Sequence, residues 1–236
     1  MNAERASGGD RLGLRRSLAV AAGALQLDVS PEQSARLIDF VELLFHWNRT
    51  YNLTAIGDLS GMLTHHVVDS LAAVRPLRRE LAGRTRARVL DVGSGGGLPG
   101  IVLAVMQPQT VVTCIDSVGK KTAFIQQAAA SLNLTNVRVE HNRVEEVTGE
   151  RFDVITSRAF ASLADFTRPT ARLLADAGLW MAMKGKIPNE EIANLPAEVN
   201  VFHVEPLLVP GLRGERCLVW MRSAPNEGIL GVPVNF

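Results

Sequence analysis

Residues 88–100 read Arg-Val-Leu-Asp-Val-Gly-Ser-Gly-Gly-Gly-Leu-Pro-Gly. A short apolar run, 89–92, feeds straight into a turn carrying Gly93, Gly95, Gly96 and Gly97, and Gly100 opens the next apolar stretch. Glycine allows a tight turn and lets a ligand approach bare backbone. The N–H groups of such a turn and of the helix after it form a partly positive cradle. Gly95-x-Gly97-x-x-Gly100 has the spacing of a dinucleotide site. Asp91 argues against that ligand, because a carboxylate facing the turn repels a pyrophosphate and accepts from a cationic amino group. S-adenosyl-L-methionine carries an ammonium and a sulfonium and no phosphate, so it suits an acidic first strand. Asp116 closes the next apolar run, where a carboxylate can accept from both ribose hydroxyls; sites for either cofactor use such an acid. From the residues alone, the candidate cofactor set is Asp91, Gly93, Gly95, Gly97 and Asp116.

Three more clusters fall at predicted strand ends: Arg143-Val144-Glu145, Ser157-Arg158-Ala159 and Lys184-Gly185-Lys186. A basic residue after the fourth strand suits an anionic or guanine-bearing acceptor. Motifs that are missing narrow the chemistry. There is no Asn/Asp-Pro-Pro-Tyr/Phe clamp for an adenine amino group, no Pro-Cys nucleophile and no Cys-x-x-Cys pair. An acceptor that loses no proton fits this set, and guanine N7 is one: its lone pair attacks a methyl group directly, and catalysis reduces to orientation and electrostatics. His46, His65, His66 and Asp69 invite a metal reading, but adjacent histidines on a helix diverge and no second pair has ligand spacing, so no metal is expected. His66 is left as a packing or substrate residue. Trp47, Tyr51 and Asn52 are either core filler or a wall on which a base stacks.

The elements that must position these groups follow from periodicity. Strands are predicted at 88–92, 110–115, 137–140, 152–156 and 179–183, with helices at 98–106, 120–132 and 163–175 between them. Two further strands, 199–205 and 216–221, flank a Pro-Gly-Leu-Arg-Gly turn and form a late hairpin that adds an antiparallel strand. That is the class I methyltransferase layout: an α/β, Rossmann-like, mostly parallel seven-stranded sheet with an antiparallel edge hairpin. Helices are expected at 12–27 and after Ser30-Pro31-Glu32-Gln33, a capping box with proline at the first helical position. The chain thus divides into an N-terminal helical extension over 1–80, a methyltransferase domain over 81–225 and a tail over 226–236. Residues 1–10 are polar and read as disordered.

Composition sets bounds. The 236 residues carry a net charge of +1, so a nucleic-acid partner must be met by local patches. All but four of the 25 basic residues are arginine, which suits phosphate and guanine contacts and equally a compositional bias. The densest basic run is Arg75, Arg78, Arg79, Arg84, Arg86 and Arg88. It lies at the sheet end away from the ligand loop, as a solvated face or a distal phosphate contact. Cys114 and Cys217 sit in apolar runs and read as buried thiols in a reducing compartment. No stretch has the length of a membrane span. Arg15-Arg16 before an apolar run resembles a twin-arginine leader, but its apolar stretch is short, and a cytoplasmic, monomeric protein is expected.

Five segments together resemble the 16S ribosomal RNA guanine-N7 methyltransferase family, also called glucose-inhibited division protein B. They are Trp47-Asn48-Arg49-Thr50-Tyr51-Asn52-Leu53-Thr54-Ala55-Ile56, His66-Val67-Val68-Asp69-Ser70-Leu71, the 91–100 loop, Lys120-Lys121 and Ser157-Arg158-Ala159. The resemblance implies methyl transfer from S-adenosyl-L-methionine to one guanine of the 530 loop, rRNA position 527, in 16S rRNA, the 30S subunit or an assembly intermediate. It also implies cofactor contacts at Gly93, Leu98, Val144, Glu145 and Arg158. With Arg158, Arg143 and Lys184 are the catalytic or RNA-side candidates by position. A nicotinamide-dependent oxidoreductase, a small-molecule methyltransferase and a non-catalytic ribosome-binding module are the alternatives.

Overall fold

The computed structural model describes residues 8–158 and 160–224. The tail, the extreme N-terminus and Ala159 lie outside them. Helix α1 spans Gly8–Ala24 and α2 spans Pro31–Tyr51. Ser30 caps α2 as its spacing predicts: its hydroxyl accepts from Gln33 N–H while the Gln33 side chain accepts from Ser30 N–H. Gln33 also donates to the Val105 carbonyl at 3.1 Å, so the cap ties the extension to the sheet domain. Short α3 (Leu59–Met62) runs into a π-helical turn, Leu63–Val68, then α4 (Asp69–Leu71) and α5 (Val74–Glu80).

The sheet domain follows as β1 (Arg88–Val92), α6 (Gly100–Met106), β2 (Val111–Asp116), α7 (Gly119–Ser131), β3 (Val137–His141) and β4 (Phe152–Ser157). It continues with α8 (Leu163–Thr170), β5 (Leu174–Lys184), α9 (Asn189–Ala193), β6 (Val199–Pro206) and β7 (Cys217–Ser223). The strand order is β3-β2-β1-β4-β5-β7-β6. β7 is antiparallel to both its neighbours and lies one place in from the edge, which β6 forms. Central strands β1, β2 and β4 are buried along nearly their whole length, as a sheet covered on both faces requires.

One apolar core joins the extension to the sheet: Leu18, Leu37, Phe40 and Leu44 pack in the same cluster as Ile101, Val112 and Phe124. The stretch that imitates a secretion leader is therefore α1, with Leu14, Leu18 and Ala21 buried in that core. A second cluster on the other face packs Leu90 and Ile155 against Leu163, Phe166 and Trp180.

Several boundaries shift for local reasons. Helix α1 starts before residue 12 and stops at Ala24. Helix α6 begins at Gly100 rather than 98, because Pro99 serves as its N-cap. Helix α8 ends at Thr170, one residue after Pro169, whose ring cannot continue a helix. β5 starts five residues earlier than its apolar run, with Leu174 paired to Phe152 before a register shift. Gly178 makes that possible, since a Cβ there would stand 2.8 Å from the Phe152 carbonyl oxygen.

All six arginines of the run are exposed, and three of them are also tied to other elements. Arg78 donates to the Met106 carbonyl at 2.8 Å, Arg79 forks onto Glu205 at 2.7 and 3.1 Å, and Arg84 bridges Asp153 and the Ala177 carbonyl. These contacts stitch α5 and the loop after it to α6, β4, β5 and β6.

Candidate active site

The glycine loop bends through three left-handed positions, Gly93 (φ 67°), Gly95 (φ 57°) and Gly97 (φ 79°). Most of its amides are spent inside the protein. Gly93 and Ser94 N–H donate to the Ile115 carbonyl, Gly95 N–H to Asp116 Oδ2, and Gly97 and Leu98 N–H to the Ser94 carbonyl. Gly100 N–H, at the start of α6, donates to Asp91 Oδ2 at 2.9 Å. The loop is therefore a shape rather than a set of donors. Five of its amides and the helix start are occupied, and the occupant at the helix start is a carboxylate. A pyrophosphate would find few free donors and an unfavourable field, while a cofactor without phosphate needs only the curved, side-chain-free surface.

Asp91 is placed differently from the sequence expectation. It is fully buried behind the loop and does not line the cavity. Oδ1 has no hydrogen-bond partner among the described residues. Burial pushes its pKa up to about 6, against the lowering effect of the Gly100 hydrogen bond. Its contact with α6 needs glycine at 100, where a Cβ would meet Cys114 Sγ at 2.5 Å and Asp91 Oδ2 at 2.8 Å. Asp116 accepts from Gly95 and Val118 N–H at 2.9 Å each, and Lys121 Nζ is 3.7 Å from it. A carboxylate has about four acceptor sites, so two remain for hydroxyl groups.

In front of the loop lies a cavity of about 430 Å³. Gly93, Gly95 and Leu98 form one side, and His66, Asp69, Arg158, Lys184 and Arg216 another. Arg158 Nη1 donates to Asp69 Oδ2 at 2.9 Å. Lys184 pairs with Glu191 at 2.7 Å and reaches the Phe160 and Ala161 carbonyls. His66 sits in the π-helical turn, an irregularity frequent at functional sites. Its Nε2 and Thr54 Oγ1 are 2.7 Å apart. Burial, then the nearby Arg158 charge, lowers its pKa to about 4.

Other expected site residues stand apart from this cavity. Arg143 is exposed at the end of β3. Val144 is buried and Glu145 exposed in a short turn that Arg172 braces through the Val144 carbonyl at 2.8 Å. Trp47 packs on Phe124 of α7, ring centroids 5.6 Å apart, and on Tyr51 at 4.9 Å. It is core filler here, not a wall of the cavity. Asn52 is the left-handed cap of α2 (φ 49°), and its side chain is exposed. The neighbouring Asn48 does more for the site: it donates to the Ile56 carbonyl and accepts from Thr54 N–H, fixing the loop that carries Thr54 to His66. Asn48 and Arg216 carry no site signal of their own in the sequence, and Asp69 enters there only beside the histidines. The His66-x-x-Asp69 spacing, which puts both on one helix face, was the signal for Asp69; nothing local points to Arg216.

The strand order, with an antiparallel β7 inserted beside the edge and a glycine loop after β1, defines a class I S-adenosylmethionine-dependent methyltransferase fold. Solved structures agree. TrmN from Thermus thermophilus aligns with TM-score 0.51 and 19% identity over 64% of this chain and 48% of that one. An S-adenosylmethionine-dependent methyltransferase from Aquifex aeolicus aligns with TM-score 0.50 and 17% identity over 68% and 92%. The model of the GidB family, rRNA small subunit methyltransferase G, matches residues 33–219, and the chain belongs to that family. Ribosomal RNA small subunit methyltransferase G of Acidovorax ebreus is 56% identical over 216 residues, 89% of this chain and 95% of the relative. That of Acidovorax sp. (strain JS42) is 57% identical over 208 residues, 85% and 92%.

Proposed function

We propose that this protein transfers a methyl group from S-adenosyl-L-methionine to N7 of one guanine in 16S rRNA, position 527 in the 530 loop. It acts as a single chain in the cytoplasm, on the 30S subunit or its assembly intermediate. Family membership supports an rRNA substrate. The glycine loop fits the cofactor because its surface is bare while most of its amides are already committed. Gly93, Gly95, Gly97 and Leu98 would hold it, with Asp116 for the ribose and, from outside the cavity, Val144 and Glu145 toward the base. When bound, it supplies an electrophilic methyl on a sulfonium.

One observation carries the choice of acceptor. Of the enclosed titratable groups of the cavity, one is tied up in ion pairs and the other is a weak base. Both Asp69 oxygens are engaged by guanidinium groups, and His66 is held with a pKa of about 4. Guanine N7 loses no proton on methylation, so it needs none of them. What the chain supplies is orientation and charge: Arg158, Lys184 and Arg216 present cations to a nucleotide, and exclusion of water strengthens those interactions. Arg143, exposed beyond the cavity, contacts the RNA outside the reacting nucleotide.

The test is transfer of tritiated methyl to 16S rRNA that lacks the modification, with the product mapped by reverse transcription and mass analysis. The expected result is one labelled guanine with a cationic ring. Label on an exocyclic amine overturns the N7 assignment, and no label on rRNA or subunits overturns the substrate. Tight NAD binding without S-adenosylhomocysteine binding would overturn the cofactor.

A further inference from the structure

Two guanidinium groups at the cavity share one carboxylate. Arg158 Nη1 donates to Asp69 Oδ2 at 2.9 Å, and Arg216 Nε donates to Asp69 Oδ1 at 3.0 Å. The three side chains come from distant parts of the chain: Asp69 opens α4, Arg158 follows β4 and Arg216 precedes β7. Asp69 is 6% exposed, and the two arginines are 23% and 29% exposed, so the carboxylate is enclosed while the cations still reach the cavity. Lys184, the other cation on this wall, is paired with Glu191. One positive charge is thus left over, and the Asp69-linked pair carries it. Arg216 Nη1 donates to the Glu215 carbonyl, and Nη2 has no hydrogen-bond partner among the described residues. A guanidinium gripped through Nε and Nη1 still keeps Nη2 for a second acceptor.

We propose that Arg158 and Arg216, set by Asp69, form a fork that binds one phosphodiester of the RNA strand beside the target guanine. Asp69 is its positioning residue. One surplus positive charge matches one phosphodiester. The fork lines the same cavity as the glycine loop, so a phosphodiester held there lies beside the cofactor surface. It deepens the RNA-methyltransferase reading and rests on it.

Binding of the full chain to unmodified 16S rRNA is measured against salt, alongside steady-state methyl transfer. Arg216→Gln is expected to reduce the slope of log affinity against log salt by about 0.7, one phosphate contact on a single strand, and to leave S-adenosylhomocysteine binding unchanged. Asp69→Asn frees a second cation. It is expected to tighten RNA binding at low salt while kcat falls about 100-fold, because the fork loses its setting. A structural Asp69 would instead weaken RNA binding and lower Tm together, and that result overturns the positioning role. An unchanged salt slope in Arg216→Gln overturns the fork, whatever Asp69→Asn does. Wild-type transfer to rRNA separates the two levels. Its absence overturns the RNA reading and the fork with it; its presence with an unchanged Arg216→Gln slope overturns the fork alone.

Discussion

The cavity has two walls built by different means. On the glycine-loop wall, carboxylates hold backbone: Asp91 takes Gly100 N–H, and Asp116 takes Gly95 and Val118 N–H. The partners of these bonds are at most 21 residues apart. On the opposite wall a carboxylate holds side chains: Asp69 takes Arg158 and Arg216, 89 and 147 residues away. The first wall is a rigid mould whose shape does the binding. The second is an arrangement of charges that exists only when three remote segments have come together. A mould fails by collision, and an arrangement of charges fails by misplacement.

The largest effect is expected on the charged wall. Arg158→Ala should lower kcat/KM by about 10²–10³, the cost of removing one preorganised electrostatic contact. The far-ultraviolet circular dichroism should stay that of the native protein, because the residue follows a strand rather than filling one; an unfolded variant breaks the contrast. On the mould, Gly100→Ala should cost about 1–3 kcal/mol through overpacking against Cys114 and Asp91, read as a lowered urea midpoint. A variant of native stability would show that the loop yields.

The pH dependence of stability should run in opposite directions on the two walls. His66, with its folded pKa depressed to about 4, contributes stability that is complete above pH 6.5 and lost as pH falls through 4. Asp91, with its folded pKa raised from 3.8 to about 6, contributes stability that is complete below 3.8 and lost as pH rises through 6. Urea unfolding of His66→Gln and Asp91→Asn across pH 4–7 checks this: the first should remove an acid-side loss and the second a loss on the neutral side. Slopes of the same sign would dissolve the distinction. The smallest effect is that of Asn48→Ala, about 1 kcal/mol for its two loop hydrogen bonds, seen in Tm with a modest rise in KM for RNA.

The same contrast explains what could be read from the chain. The mould is written in consecutive residues, so 88–100 and Asp116 led to the strand, the turn and the acid after β2. The alternation of apolar runs led to the sheet, including its late antiparallel strand. Asp91 was read for its charge, yet its side chain turns back to α6; a strand residue's facing depends on what packs behind it. Trp47 and Asn52 were legible as residues of interest but not in role, since one fills a gap against α7 and the other caps α2. Arg216 was invisible because its partner lies 147 residues away and no local pattern records that pairing. The arginine run is a surface, as its sequence suggests, but its ties to Glu205 and Asp153 could not be read because those partners are remote in sequence.

Of the seven described strands, β7 comes last in the chain and yet lies inside the sheet, between β5 and β6. During synthesis, β5 therefore waits with an open edge until residues 217–223 emerge, and β6 has no neighbour to pair with. Such unpaired edges invite association with other chains. Insertion of β7 covers the edge of β5 and one edge of β6, and the same event carries Arg216, one residue upstream, to Asp69. The protein thus acquires its second guanidinium at the moment β5 gains its outer partner, so a chain caught before that step is both sticky along β5 and without its full charge at the cavity.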